Sequence, residues 1–264
     1  MMIQELKETK KAASLFEGWQ ETMIWSCLQG VMGKIYVDSQ EEPASAAAVL
    51  GDFCFLAGRP DGEFIDRIPD LRFGEKESSM IIVPKDESWA ERIEECLGEK
   101  VEKNVRYAIK KEGDVFDRER LRRTADRLSD GYELKKIDKE LFELCKKTNW
   151  CRDWAANYKD YNTYRRYGLG AVIFKDGEPV SGASSYTGYI GGIEVQIDTR
   201  EDYRRRGLAL VCGAKLILEC LERGWYPSWD AQNRWSVALA EKLGYHFDRE
   251  YVVYEAAGKD RRME

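Results

Sequence analysis

The stretch DTREDYRRRGLALVCGAKL, residues 198–216, places three arginines, Arg204 to Arg206, directly before Gly207 and an apolar run. An alternating, strand-like segment precedes it, and the apolar run has helical spacing. The first turn of a helix leaves several N–H groups unpaired and carries the positive end of the helix dipole. Glycine lets a ligand approach that backbone closely, and arginines add charge and forked donors. The pattern therefore predicts a phosphate or pyrophosphate site at a strand-to-helix junction.

The overall composition favours such a local anion site over a nucleic-acid surface. The 264 residues carry a formal net charge of −6 and a pI near 5.3, whereas non-specific DNA binding needs a broad basic surface. No segment approaches the ~20 apolar residues of a membrane span. The charged N-terminal stretch lacks the apolar core of a signal peptide. Seven scattered cysteines predict reduced thiols and therefore a cytoplasmic protein. Together with the charge and the hydropathy, this leads us to expect neither a membrane nor a nucleic-acid partner.

The single histidine excludes several kinds of chemistry. His246 is the only one in the chain, so every Ser-His or Cys-His mechanism would pass through it, and no multi-histidine metal site can form. It lies in an alternating strand-like run, where an ordinary strand histidine is the alternative to a general base. The chain has no GxxxxGK[ST] loop and no GxGxxG after a strand. The sequence thus gives no support for ATP, NAD or a metal.

From residue 132 onward the hydrophobic pattern predicts a mixed sheet with helices packed on it. The predicted order is β-α-α-β-β-β-α-β-α-β. Asp176-Gly177 predicts a tight hairpin between two of the strands. The helix that begins at Gly207 should end at Gly224, which suits the left-handed position after a helix.

The first half alternates helical and strand-like segments. We predict a helix over residues 4–27, one strand over 46–56, and a Gly- and Pro-rich loop with a short helix over 57–79. A charged helix, DRERLRRTADRLSD, follows at residues 117–130. Its charges suggest a solvated face and a domain boundary. The predicted domains are therefore an N-terminal α/β domain, 1–130, and a C-terminal domain, 131–264.

The two halves also share a short segment. Residues 87–103 align without gaps with residues 233–249, so that Trp89 matches Trp235 and both helices end in Leu-Gly. We interpret this as a degenerate internal repeat, and the alternative is a chance likeness between two helix ends. The first half has no counterpart of the arginine–glycine segment, so a repeat there would lack the anion site.

The residues around Gly207 resemble a known family. Arg204-x-x-Gly207-x-Ala209 is similar to the [Q/R]-x-x-G-x-[G/A] motif with which GNAT N-acetyltransferases bind acetyl-CoA. WDAQNRWSVALAEKLGY, residues 229–245, resembles the second family motif, and the element order from residue 132 matches the family fold. The resemblance covers residues 132–255 and is most specific to a bacterial branch that includes the zwittermicin A resistance acetyltransferase. It implies an α/β (α+β) fold, in which an N-terminal α/β domain precedes a GNAT domain with a mixed, mostly antiparallel sheet flanked by helices.

The resemblance also implies where acetyl-CoA binds. The backbone around Gly207 would hold the pyrophosphate, the strand before it would pair with the pantetheine arm, and an asparagine in the second motif would contact the cofactor near the thioester or pantetheine. The implied cofactor-binding residues are Ile197, Asp198, Thr199, Arg204, Arg205, Arg206, Gly207, Leu208, Ala209 and Asn233. Asn233 suits a helix N-cap equally well, and the two roles are compatible.

Direct acetyl transfer needs a neutral amine, a polarised thioester carbonyl and a proton for the leaving thiolate. Glu194 is the first candidate base, and Asp230, at the end of the next strand, is the second. Ion pairing with a surface cation is the alternative role for each. Many family members carry a tyrosine four residues before the closing glycine as general acid, but this chain has Ala240 there. Ser236, a water molecule or an unassisted thiolate could replace it.

The acceptor site is predicted in an aromatic segment. Trp150, Asp153 and Trp154 lie in residues 148–168, where aromatic rings and a carboxylate suit a cationic amine, and core packing is the alternative. The sequence thus predicts an acetyl-CoA-dependent N-acetyltransferase that acts on a primary amine of a small molecule, such as an amino-group antibiotic. Two further hypotheses are a GNAT-fold protein that binds CoA as a sensor or scaffold, and a nucleic-acid-binding protein. The sequence leaves open whether the chain forms a homodimer.

Overall fold

The computed structural model describes residues 3–68 and 80–256. Contacts group the described residues into two compact units, one formed by residues 3–68, 80–106 and 250–256, the other by residues 107–249. Within the described residues the strands are β1 (Gln4–Glu5), β2 (Lys34–Val37), β3 (Ser45–Leu50), β4 (Phe53–Gly58), β5 (Met80–Pro84), β6 (Val101–Ile109), β7 (Tyr132–Lys136), β8 (Gly170–Lys175), β9 (Glu178–Tyr189), β10 (Gly192–Thr199), β11 (Tyr226–Ser228), β12 (Asp230–Ala231) and β13 (Phe247–Ala256). The α-helices are α1 (Thr22–Leu28), α2 (Gly62–Arg67), α3 (Glu87–Leu97), α4 (Arg118–Ala125), α5 (Lys139–Lys147), α6 (Tyr161–Tyr167), α7 (Leu208–Glu222) and α8 (Arg234–Leu243).

The first unit contains a sheet in which β1 to β5 lie in sequence order and β13 pairs with β5. Its pairs are antiparallel except for the parallel pair β4–β5. Two predictions for this region are wrong. Residues 4–27 do not form one helix, because Gly18 adopts a left-handed φ of 77° that separates a 3₁₀ helix, Thr9–Phe16, from α1. Residues 46–56 form two strands, because Gly51, at a φ of 59°, turns the chain into a hairpin.

A short helix in the loop after β4 is confirmed as α2, and the part of that prediction over residues 69–79 lies outside the described residues. The Asp61 side chain caps α2 by accepting a hydrogen bond from the Phe64 N–H at 3.0 Å. A carboxylate of the protein therefore satisfies one of the unpaired N–H groups at the start of this helix.

The second unit is built on a five-stranded sheet with the order β11-β10-β9-β8-β7. The pairs are antiparallel except for β10–β11, and α7 packs its apolar side chains against the sheet. This confirms the predicted mixed, mostly antiparallel sheet. The hairpin between β8 and β9 turns at Asp176 and Gly177, with φ values of 52° and 82°, as a two-residue turn of this kind requires.

The compact units divide at other positions than the predicted boundary at 130/131. Helix α4 belongs to the second unit, because Leu121 on its apolar side is 3 % exposed and lies in the same core as α7. The charged residues that suggested a boundary occupy the other side of this helix. The unit boundaries instead fall inside β6 and β13.

The order of elements agrees with the repeat hypothesis. In the first half, the antiparallel pair β3–β4 is followed by its parallel neighbour β5, the capped helix α3 and the strand β6. In the second half, the antiparallel pair β9–β10 is followed by its parallel neighbour β11, the capped helix α8 and the strand β13, with β12 as an extra short strand. The gapless alignment does not describe equivalent environments, because Trp89 is 0 % exposed whereas Trp235 is 86 % exposed. Helix α3 also begins one residue earlier in the alignment, since Asp86 rather than Glu87 provides its cap.

Candidate functional site

Strands β10 and β11 separate after only three residues. They pair in parallel from Gly192–Tyr226 to Glu194–Ser228, and the chain then turns away, so that Asp230 pairs with Ala108 of β6 instead. On its other side β10 stays paired with β9 as far as Thr199. In the described part of the chain, residues 195–199 therefore have one edge without a strand partner. Alternate N–H and C=O groups of this edge face the gap and can pair with an extended ligand.

The gap leads to the loop that connects β10 to α7. Arg205 and Gly207 both adopt left-handed φ values, 61° and 80°, and Gly207 is the N-cap of α7. Successive N–H groups in such a loop form an anion-binding concavity, and the helix start adds its dipole. The N–H groups that have no protein acceptor among the described residues are those of Arg205, Arg206, Gly207, Leu208 and Ala209. A Cβ added at Gly207 would meet no atom within 4 Å, so the space in front of this backbone is open.

The three arginines differ in their surroundings, which the sequence alone did not distinguish. Arg206 donates to the Asp202 carbonyl at 2.9 Å and stacks on the Tyr203 ring, 4.7 Å from its centroid. Arg204 lies along the loop and donates to the Thr199 carbonyl at 3.4 Å. The Arg205 guanidinium is exposed and has no partner among the described residues. Arg206 thus stabilises the loop, while Arg204 and Arg205 are available to an anion.

The start of α8 adjoins the end of β12. Asn233 caps the helix by accepting from the Ser236 N–H at 3.0 Å, and this confirms the N-cap role. The Ser236 hydroxyl accepts a hydrogen bond from Trp229 Nε1 at 3.0 Å. Ala240 is completely buried, and the Tyr245 hydroxyl donates to the Pro227 carbonyl at 2.6 Å. Neither of the last two positions therefore presents a phenol to a ligand.

Alternation along β10 places Glu194, Gln196 and Asp198 on one face and the apolar residues packed under α7 on the other. Glu194 is 3 % exposed and lies in the paired part of the strand, opposite Thr187 on β9 and Ser228 on β11. Asp230, the second candidate base, is half-buried at the start of β12. The structure therefore brings Glu194 to the point where the two strands separate.

The sequence analysis gave Asp198 a role only through its backbone, whereas the structure also places its side chain at the site. Its Oδ2 accepts hydrogen bonds from Trp154 Nε1 at 3.1 Å and from Gln196 Nε2 at 2.8 Å. Burial raises the pKa of this carboxyl, while the two hydrogen bonds and the charge of Arg204 lower it in part. The alternation with Glu194 was the signal that could have identified it.

The aromatic segment has a more structural role than predicted. Trp154, in the 3₁₀ helix Asn149–Trp154, is completely buried, so it contributes an indole N–H to the site rather than a ring face. Trp150 is half-buried and contacts Trp154 edge-on at 5.1 Å, and Asp153 is exposed. Tyr158 and Tyr164 are buried in the core, as the packing alternative expected.

The described residues contain neither a metal-binding cluster nor a membrane-spanning helix. Across residues 3–68 and 80–256, no group of three or more His, Cys, Asp or Glu side chains is placed to hold a metal ion. None of the helices in those ranges combines the length and the apolar character that crossing a bilayer requires.

Among the described residues, the strand edge without a partner thus leads directly to a row of N–H groups without acceptors at the start of a helix. The chain belongs to the GNAT acetyltransferase family, whose profile matches residues 13–254. The family match thus extends well beyond the resemblance recognised over 132–255 and includes most of the first unit. The resemblance to the zwittermicin A resistance branch stays a prediction.

Individual relatives agree with this assignment. The uncharacterized N-acetyltransferase YdfB of Bacillus subtilis (strain 168) is 27 % identical and covers 96 % of this chain and 98 % of its own. The crystal structure of a GCN5-related N-acetyltransferase-like protein from Streptococcus suis 89/1591 is 45 % identical, covers 94 % of this chain and 98 % of its own, and superposes with a TM-score of 0.87. A tandem GNAT protein from the clavulanic acid biosynthesis pathway is 10 % identical, covers 97 % of this chain and 99 % of its own, and shares the fold with a TM-score of 0.54.

Proposed function

We propose that this GNAT-family N-acetyltransferase uses acetyl-CoA to acetylate a primary amine of a small molecule. The observation that carries the proposal is the continuity between the open edge of β10 and the row of unpaired N–H groups at residues 205–209. The first fits an extended amide-containing chain, and the second fits a pyrophosphate. CoA contains both groups in that order.

The residues present fit CoA in chemistry as well as in order. The N–H groups of residues 205–209 would hold the pyrophosphate, with the charges of Arg204 and Arg205 beside it. The backbone of Ile197 and Thr199 would pair with the pantetheine amides. Asn233 uses its side-chain oxygen for the helix cap, which leaves its NH₂ group as a donor to the ligand. When bound, acetyl-CoA supplies an acetyl group activated as a thioester.

Acetyl transfer also requires removal of a proton from the amine, a proton for the leaving thiolate, and stabilisation of the negative charge that develops on the thioester carbonyl oxygen. A backbone N–H on the open edge of β10 is suited to polarise the thioester carbonyl. Deprotonation of the amine needs a carboxylate base, and Glu194 and Asp230 are the candidates that the sequence offers for it. Ser236 is proposed to assist the leaving thiolate, because its hydroxyl is fixed by Trp229 and keeps its own proton to donate.

One observation favours a second candidate function. Ala240, at the position where many family members have a tyrosine, is completely buried, so no acid can act from there. A protein that binds CoA without turnover, as a sensor or scaffold, would show the same feature. Release of free thiol distinguishes the two functions.

The test is a calorimetric titration of the full chain with acetyl-CoA, followed in the same sample by thiol release across a panel of primary amines. Micromolar binding with turnover on one amine would support the transferase and identify its acceptor class. Binding without turnover would favour the sensor or scaffold. An absence of binding would contradict both. A cytoplasmic location is part of the proposal, and the seven free cysteines support it.

A further inference from the structure

Asp198 lies on the open half of β10, beyond the last pair with β11. Its partner across the β9 ladder is Gly182. A Cβ at Gly182 would lie 2.6 Å from the Trp154 ring, so the glycine is what allows the indole to lie against the sheet beside Asp198. Asp198, Trp154 and Gly182 therefore pack together at the open edge of β10, where the pantetheine arm would pair.

The hydrogen bonds hold only one oxygen of the carboxylate. Trp154 Nε1 and Gln196 Nε2 both donate to Oδ2, at 3.1 Å and 2.8 Å. Within residues 3–68 and 80–256 no protein donor is found for Oδ1. Two titratable groups lie within electrostatic reach, the guanidinium of Arg204 and the buried thiol of Cys151. The orientation of Asp198 is thus fixed while one oxygen remains available to a cation.

Glu194 is placed differently. It is 3 % exposed and enclosed between β9 and β11, where the strands are still paired. Four residues along a strand correspond to about 13 Å, so the two carboxylates cannot serve the same atom. Asp198 is the one that lies alongside the predicted path of the pantetheine arm.

We propose that the Asp198 carboxylate binds the ammonium group of the acceptor through Oδ1 and accepts its proton. The assignment rests on the proposed acetyltransferase function and names the acceptor as an aliphatic amine that is cationic when free. The ammonium gives one proton to Asp198, which passes it to solvent. The neutral nitrogen then forms the N–C bond to the acetyl carbon as the C–S bond breaks, and its second proton goes to the departing sulfur.

Two pairs of variants test this role. Asp198→Asn keeps the size and an acceptor oxygen, and Glu194→Gln is the matched change at the competing carboxylate. Acetyl-CoA affinity is measured by calorimetry, and kcat/KM by thiol release as a function of pH. A base must be deprotonated, so the wild-type rate should fall on the acid side of a pKa that burial has raised.

We expect Asp198→Asn to lose about 100-fold or more in kcat/KM, to keep its acetyl-CoA affinity and to lose the acid limb of the profile. Glu194→Gln should keep the acid limb. Near wild-type turnover by Asp198→Asn, or loss of the limb in Glu194→Gln instead, would overturn the assignment while leaving the acetyltransferase function intact. An inactive wild-type protein would overturn the proposed function itself.

Trp154→Phe provides a second test of the proposal in case Asp198→Asn does not fold. It removes the N–H that favours the carboxylate, so the acid limb should move to higher pH. Trp229→Phe is the matched control, since it removes another buried indole N–H, the donor to Ser236, and should leave the limb in place. An unmoved limb in Trp154→Phe would refute the proposal.

Discussion

Variants of Gly207 test whether the loop at residues 205–209 binds the phosphates of acetyl-CoA. They also show how much stability depends on glycine at this left-handed position. Gly207 has a φ of 80°, and an added Cβ would meet nothing within 4 Å. An alanine there clashes with no neighbour, but an L-residue in the left-handed region costs about 1–2 kcal/mol. For a chain of this size, each kcal/mol corresponds to a shift of about 2–4 °C in Tm.

Gly177 provides a matched control, because it has a φ of 82° and also meets nothing within 4 Å. Gly177→Ala should therefore cost as much stability as Gly207→Ala, and it should leave acetyl-CoA affinity unchanged. Gly207→Glu should be no less stable than Gly207→Ala, since the position is open. Its carboxylate would both fill and repel the phosphate site, so affinity should fall by about 100-fold or more, equivalent to about 2.8 kcal/mol.

The assay combines thermal unfolding with calorimetric titration of each variant. The reasoning is refuted if Gly207→Glu binds acetyl-CoA with nearly wild-type affinity. It is also refuted if Gly177→Ala weakens binding as strongly as Gly207→Ala, because the effect would then come from general destabilisation.

Substitutions at three other positions test neighbouring contacts. Ser236→Ala should cost about 1–3 kcal/mol in urea unfolding, because it leaves the buried Trp229 N–H without an acceptor; Ser236→Thr should lose less. Asn233→Asp should keep the helix cap but weaken acetyl-CoA binding, whereas Asn233→Ala should also lose about 1 kcal/mol of stability. Asp198→Asn should have a higher Tm than wild type near neutral pH. Because burial raises the native pKa of Asp198, its charged form destabilises the fold as pH rises through that pKa. The difference in Tm should therefore shrink in acid, where this carboxyl is protonated in both the folded and the unfolded protein.

Much of the second unit could be predicted from hydrophobic periodicity, since its strands and helices are long and regular. The first unit was harder to predict, because single glycines decided its elements. Gly18 ends what periodicity presents as one helix, and Gly51, followed by Asp52, divides the mostly apolar residues 46–56 into two strands. Helical and strand periodicities continue across such positions, so only the residue types, Gly18 and the pair Gly51-Asp52, mark the turns.

The charges of α4 describe only one side of this helix. They suggested a boundary because charged segments are often linkers, yet Leu121 anchors the helix in the core of the second unit. A single apolar stripe is enough to bury one side of a helix while the other side stays charged.

The anion-binding loop was determined by sequence alone, because its N–H groups, its glycine and its arginines are contiguous in the chain. The separation of β10 from β11 and the position of Asp198 were decided only by tertiary structure. Trp154 lies 44 residues before Asp198, and their hydrogen bond forms because Gly182 on the neighbouring strand leaves space for the indole. Contacts between distant segments depend on strand register, and no local pattern specifies which side chains a register brings together.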